Sequence, residues 1–303
     1  MTDPSRPILC LGEAIVDLIC ERNLGPGESP ETLTPHHGGA LPNVAAAVAR
    51  GGMPAALVGG VGSDHWGEWL VTGLASEGVE TDWIAILEGA RTPMAIAIFD
   101  SSGEPSFQIY GEHIGPTMAA TDDFLDDAVE GGSALIVGSN TMVGEAEREV
   151  TRRAVGLARK AGTPVLLDPN HRPTRWQEKA DAIEFGLELA RQTTVLKCNR
   201  EEATLLTGED DKVKAAQVLA GLGPRLVVVT DREAEIVTAG EAEARWVPER
   251  IEVVSPLGAG DAFMGSLAAG LAGLGWDLSR VAEVLPRAAA HATACCLHWG
   301  ARH

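Results

Sequence analysis

The sequence predicts an α/β chain: a mostly parallel sheet with helices on both faces, and a small β insertion protruding from it. Three observations carry this. From Ala134 onward, short apolar runs alternate with helical runs, the pattern of strands joined by crossover helices. Between Trp83 and Tyr110 that alternation stops, and strand-like runs follow one another without a helix signal. Near the C-terminus, Gly258-Ala259-Gly260-Asp261-Ala262-Phe263 follows an extended apolar segment (Ile251, Val253, Val254) and opens a small-residue helix from Ala262 to Ala272.

Ile8–Leu11 and Ala14–Ile19 read as one buried first strand running on to Cys20, with Asp17 near its end. Gly25–Pro30 is a turn-rich interruption, and Glu31–His37 a short exposed strand. Pro42–Arg50 is alanine-rich and helical, with Pro42 in its first turn. Ala56–Val61 is a strand, and Asp64 caps a helix reaching about Ser76. Ile84–Leu87, Met94–Phe99 and Phe107–Tyr110 form the predicted meander, with a turn at Asp100–Pro105. Strands follow at Leu135–Val137, Val165–Asp168, Val195–Asn199 and Leu226–Thr230. Helices at Glu145–Ala161, Glu178–Arg191 and Lys212–Leu222 separate them, and a β segment lies around Glu235–Val247. These elements divide the chain into a core (1–14, 38–88 and 113–303) and a β insertion (15–37 and 89–112).

Composition narrows the function. A net charge of −19 weighs against nucleic-acid and anionic-membrane partners, which need a basic footprint. No apolar stretch approaches the roughly 18 residues of a membrane span. Cys10, Cys20, Cys198, Cys295 and Cys296 show neither a disulfide framework nor a zinc ribbon, which fits a reducing cytoplasm.

The glycine turn is the strongest chemical signal. A helix N-terminus presents unpaired N–H groups and partial positive charge, so Gly258, Ala259 and Gly260 suit an anion such as phosphate. An aspartate beside phosphate, Asp261, suits taking a proton from an attacking hydroxyl. The turn lacks the P-loop lysine, and only about forty residues follow it, too few for a dinucleotide-binding half. Gly38, Gly39 and Asn43 open another helix with hydrogen-bonding groups suited to a polyol, and Asp17 is a second hydroxyl acceptor. Asp168-Pro169-Asn170-His171-Arg172 and Asn199-Arg200-Glu201-Glu202 end two strands, where ligands bind in open α/β sheets. Glu202 can hold magnesium directly or through water. His291, Cys295 and His298 read as a packed helix face, and His36 and His37 as exposed residues beside the Gly38–Gly39 helix start.

Taken together, GGALPNVAAAVARGG, VGGVGSDHWGE, DPNHRPTRW, NREEATLLTG and GAGDAF resemble, in order and spacing, the ribokinase-like (phosphofructokinase-B type) carbohydrate kinases. The resemblance implies a three-layer α/β/α core and a β lid closing over a sugar, with ATP as donor and magnesium as counter-ion. It makes Asp261 the base and Gly258, Ala259 and Gly260 the anion hole. Asp17, Gly38, Gly39, Asn43 and Arg172 would hold the sugar, Asn199 and Thr230 the nucleotide side, and Glu202 the metal. It also implies a homodimer through the lids, whose exposed sheet edges need cover.

Two departures stand out. Where the family usually carries Asp-Thr-x before the glycine turn, this chain has Ser255-Pro256-Leu257. A serine cannot supply the aspartate's charge to a monovalent cation, so potassium activation is unsupported. After Thr230, Asp231 to Glu235 replace glycines near the nucleotide, and Asp231 and Glu233 are expected to repel phosphate. Within the family, a fructokinase fits first, ahead of 2-keto-3-deoxygluconate kinase, ribokinase or a nucleoside kinase. The alternative from another class is a sugar-binding pseudokinase, favoured by the two departures and disfavoured by Asp261 and Gly-Ala-Gly.

Overall fold

The computed structural model describes residues 3–231 and 235–302. The strands are β1 (Ile8–Leu11), β2 (Ile15–Asn23), β3 (Thr34–Gly38), β4 (Ala55–Gly62), β5 (Val79–Glu80), β6 (Ile84–Leu87) and β7 (Met94–Phe99). They continue as β8 (Pro105–Tyr110), β9 (Ala134–Gly138), β10 (Val165–Asp168), β11 (Val195–Asn199), β12 (Leu226–Thr230), β13 (Ile236–Gly240) and β14 (Arg245–Trp246). The α-helices are α1 (Ala40–Arg50), α2 (His65–Ser76), α3 (Ile114–Ala119), α4 (Leu125–Gly131) and α5 (Glu145–Ala161). After them come α6 (Lys179–Ala190), α7 (Arg200–Thr207), α8 (Lys212–Ala220), α9 (Ala259–Gly273) and α10 (Val281–Cys295).

The larger sheet has the order β14-β13-β12-β11-β10-β9-β1-β4-β5, with β6 also on β4. It is parallel from β12 to β5, and β13 runs antiparallel to both of its neighbours, β12 and β14. Its strands alternate apolar residues toward two separate cores, as burial on both faces demands. Ile8 and Cys10 of β1 face a core with Leu41 of α1, Leu70 of α2, Phe263 of α9 and Val281 of α10. Leu9 and Leu11 face the other, with Met118 of α3, Leu125 of α4, Val155 of α5, Leu206 of α7 and Leu219 of α8. The smaller sheet, β3-β2-β7-β8, stands apart.

Four sequence expectations change. The single strand running to Cys20 is two strands in two sheets, because α1 approaches between them. A side chain at Gly12 would sit 2.8 Å from Leu41 Cβ, and the chain leaves the core sheet there. Ile84–Leu87 is not part of a meander; β6 pairs parallel with Gly59–Gly62 of β4. An apolar run of four residues does not reveal which sheet it joins. Residues 114–131, given no element from sequence, form α3 and α4, each under eight residues and packed on the second core. The apolar segment before Gly258 is no strand, and Val253 and Val254 are 52% and 43% exposed.

Candidate active site

The site gathers at the C-terminal ends of β10 and β11 and the N-termini of α1 and α9. Gly258 caps α9 with φ of 78°, a left-handed conformation that glycine adopts without strain. A side chain there would overlap Ala301, lying 2.6 Å from its Cα. The first N–H groups of α9 receive no side-chain cap. Asp261 follows in that first turn, 6% exposed.

Two amides fix its carboxylate. Asn43 Nδ2 donates to Asp261 Oδ2 at 2.9 Å, and Asn170 Nδ2 donates to Oδ1 at 3.0 Å. Asn43 comes from the first turn of α1 and Asn170 from the turn after β10, so three separate segments converge. Asn170 holds a φ of 44°, rare outside glycine, and that places its amide over Asp261. Burial pushes the Asp261 carboxyl up to about 6, against the Asn43 hydrogen bond; Asp168 adds to the rise, and Arg172 and Lys197 oppose it.

Across from Asp261 lies Asp17 on β2. Gly38 is a glycine because a Cβ there would overlap the Asp17 carboxyl. Gly39, with φ of 94°, lets the chain pass the Glu13 carbonyl into α1. Burial raises Asp17 to about 7; Arg172 and Arg302 draw it down, and Asp261 and Glu13 push it up. The Arg172 guanidinium lies over the Phe107 ring of β8, 5.1 Å from its centre.

Behind this site sits a buried ion pair to which the sequence reading gave no role, with Glu202, the expected metal residue, beside it. Lys197 Nζ of β11 pairs with Asp168 Oδ2 of β10 at 2.8 Å, both about 5% exposed. The ammonium would lie 3.0 Å from a side chain built at Gly260, so it underlies the helix N-terminus. Burial opposes its charge, yet Asp168, Glu202 and Asp261 outweigh that and hold Lys197 above its ordinary value. Glu202 is also buried, and burial with Asp168 nearby raises its carboxyl. Its Oε1 accepts from His171 N at 2.7 Å and its Oε2 from Asn199 N at 2.9 Å, while Asn199 Oδ1 accepts from Glu202 N. Glu202 and Asn199 thus form a capping box on α7 that ties it to the turn carrying Asn170 and Arg172. The signal for Asp168 and Lys197 was present, since each is a charge closing or interrupting an apolar strand run.

The structure brings Asp17, Gly38, Gly39, Asn43, Arg172, Gly258, Ala259, Gly260 and Asp261 to one cleft, with Asn199 and Glu202 on its flank. Thr230 lies farther out, beside Asn199 in the β11–β12 register, its hydroxyl 3.4 Å from Cys198 O. Asp231 is not a bare repulsive charge, because Lys212 and Arg200 stand 3.4 and 3.9 Å away. Glu233 lies outside the described residues. His36 and His37 are not exposed. His36 pairs with Glu21 at 2.7 Å, and His37 stacks on Trp69 at 3.8 Å. Among the described residues no cluster of three His, Cys, Asp or Glu side chains could hold a metal, and no helix is long and apolar enough to cross a membrane.

In sequence and fold the chain matches known proteins. Residues 5–303 match the pfkB family carbohydrate kinase profile. The chain belongs to that family. Among relatives of this pfkB kinase, the fructokinase of Klebsiella pneumoniae is 33% identical over 273 residues, 88% of this chain and 85% of that one. A fructokinase of Vibrio alginolyticus is 31% identical over 85% of this chain and 81% of its own. Among solved structures, a Xylella fastidiosa fructokinase with bound ATP superposes with a TM-score of 0.81 at 28% identity, covering 98% of this chain and 94% of that one. A Vibrio cholerae fructokinase in a fructose-, ADP- and calcium-bound form gives 0.82 at 26%, covering 99% and 95%. The kinase fold is therefore the ribokinase-like one, with its separate small sheet.

Proposed function

We propose that this kinase transfers the γ-phosphoryl group of ATP to a hydroxymethyl group of fructose or a closely similar neutral sugar. The observation that carries the reading is Asp261: a carboxylate held on both oxygens, at an uncapped helix N-terminus, facing a second carboxylate across a cleft. Fructokinases at 31–33% identity supply the sugar class.

The steps follow from the residues. Asp17, Asn43 and the Gly38–Gly39 backbone hydrogen-bond the sugar hydroxyls. Asp261, ionised near neutrality, takes the proton of the attacking hydroxyl as its oxygen bonds to phosphorus. The N–H groups of Gly258, Ala259 and Gly260 face the charge that grows on the phosphoryl oxygens, with Lys197 beneath them. Asn199 and Thr230 border the nucleotide side. A bound magnesium ion would neutralise charge on the ATP phosphates. The residues fit such an ion: Asp168 Oδ1 is buried without a hydrogen-bond partner, and Glu202 stands beside it, both suited to hold the ion's waters. The small sheet serves as the lid, its Asp17 and Phe107 face closing the cleft against water. Arg172 already balances Asp17 and stacks on Phe107, which favours a neutral sugar over an acidic one.

The other face of that lid packs Leu18 and Met94 on the core and carries Ile96 and Ile98 beyond those contacts, with Tyr110 56% exposed. We infer that a second copy covers it; light scattering on Ile96→Lys against the parent would show dimer falling to monomer, and a monomeric parent refutes it. None of the five cysteines is in a disulfide, which suits the cytoplasm.

The function is tested by ADP release from MgATP with fructose, ribose, 2-keto-3-deoxygluconate, glucose and adenosine. Fastest turnover on fructose is expected. Preference for the acidic sugar or the nucleoside overturns the substrate, and sugar binding without turnover overturns the kinase.

A further inference from the structure

The family resemblance implies a monovalent cation beside the glycine turn, and the residues there do not fit one. A hard cation needs several oxygen ligands turned toward it. Ser255 stands where a carboxylate would be; it is fully buried, and its hydroxyl accepts from Leu257 N at 3.3 Å. The Cys296 carbonyl accepts from Val254 N and Ser255 N at 2.8 and 3.2 Å. The Leu257 carbonyl is met by the Cys295 thiol, whose Sγ lies 3.2 Å from it and 3.6 Å from Ala301 O. The Ser255 hydroxyl and the Cys296 and Leu257 carbonyls thus each meet a protein donor.

We propose that the C-terminal segment, through the Cys295 thiol, braces the anion hole in place of a cation, making Cys295 a positioning residue for phosphoryl transfer and the reaction independent of potassium. Leu257 precedes Gly258, so fixing its carbonyl fixes the peptide that leads into the anion hole. Ala301, the thiol's second partner, packs directly on Gly258. Cys295 is 6% exposed, and burial with Asp261 nearby pushes its thiol up to about 12, so it remains a protonated donor wherever the enzyme works. The same segment reaches the lid. Trp299 meets Phe99 edge to face at 4.9 Å, and Gly300 lies against the His36 ring. One stretch of chain therefore touches the anion hole and the sheet that carries Asp17.

This inference rests on the kinase reading, and its test separates the two. Turnover of fructose and MgATP is measured in potassium chloride and in tetramethylammonium chloride, alongside melting temperature in both salts. The wild type should give kcat values within about twofold in the two salts and the same melting temperature, since an ion that binds the fold would raise it. Cys295→Ala should lower kcat about tenfold with the fructose KM unchanged, and Cys295→Ser, which keeps a donor, should restore most of it. Potassium activation of about tenfold, or a potassium-specific rise in melting temperature, overturns the proposal. So does a Cys295→Ala enzyme with wild-type kcat. If Cys295→Ala does not fold, the salt comparison on the wild type still decides. No turnover in either salt with any sugar instead refutes the kinase reading, and the melting comparison still tests the brace.

Discussion

Gly258→Ala tests whether the backbone at the start of α9 is the working part of the site. The added Cβ meets two costs. The position has φ of 78°, a left-handed conformation that costs a non-glycine residue about 1 kcal/mol. It also runs into Ala301, whose Cα would be 2.6 Å away in a segment held by Cys295 and Trp299. Overpacking of that kind costs roughly 1–3 kcal/mol. The sum is about 2–4 kcal/mol, and for a chain of this length, with an unfolding entropy of roughly 0.6 kcal/mol/K, melting should fall by about 3–6 °C. Relief of the clash requires the turn to shift, which moves its N–H groups off the phosphoryl oxygens. Losing one such donor costs about a hundredfold in kcat with little change in KM. Differential scanning fluorimetry and steady-state kinetics read the two effects together. Gly273→Ala is the control, at the other end of the same helix with nothing within 4 Å of the added Cβ. A Gly258→Ala enzyme with wild-type kcat and melting temperature would refute the reasoning.

Other perturbations follow from the same contacts. Asn43→Ala removes the hydrogen bond that lowers the Asp261 carboxyl, so the acid limb of kcat/KM should move above its wild-type position, with a larger loss at about pH 6 than at about pH 8; an unmoved limb contradicts this. Lys197→Met leaves Asp168 buried and unpaired at a cost of about 3–5 kcal/mol, so melting should drop about 5–8 °C; a drop below about 2 °C argues against the buried pair. Gly156→Ala, exposed inside α5 with open space around it, should raise melting by about 1–2 °C with unchanged kinetics. Any loss of stability there would show that the helix surface is not free.

The glycine turn and the place of Asp261 at the start of α9 were legible because a helix start is local. It needs only consecutive residues. The core strands were legible because each is an apolar run between turn residues. The break between β1 and β2 was not, since Gly12 yields to Leu41, about thirty residues away, and local patterning carries no trace of that approach. β6 failed for a similar reason, as four apolar residues pair equally well with either sheet. Asn170 was visible inside DPNHR, but its left-handed backbone and its reach to Asp261 depend on α9 arriving from far along the chain. The Lys197–Asp168 pair could have been suspected from charges within strands, though its place under Gly260 could not. The contacts of Cys295 join the end of the last helix to the loop before α9, and the packed face expected of His291, Cys295 and His298 does not hold, because α10 ends at Cys295 and His298 is exposed beyond it.

The account stands or falls on Asp261 as the base. Its carboxyl sits at about 6, above the ordinary aspartate value, so its ionised form is present at neutrality and is lost as pH falls through that value. The direct measurement is the pH dependence of kcat/KM for fructose with saturating MgATP, in the wild type and in Asp261→Asn, with fructose binding followed by melting temperature. The wild type should show an acid limb near pH 6. Asp261→Asn should lose at least about a thousandfold, in line with loss of a general base, while fructose still raises its melting temperature. An Asp261→Asn enzyme within about tenfold of the wild type, or a wild-type limb at the ordinary aspartate pKa of about 4, would contradict it.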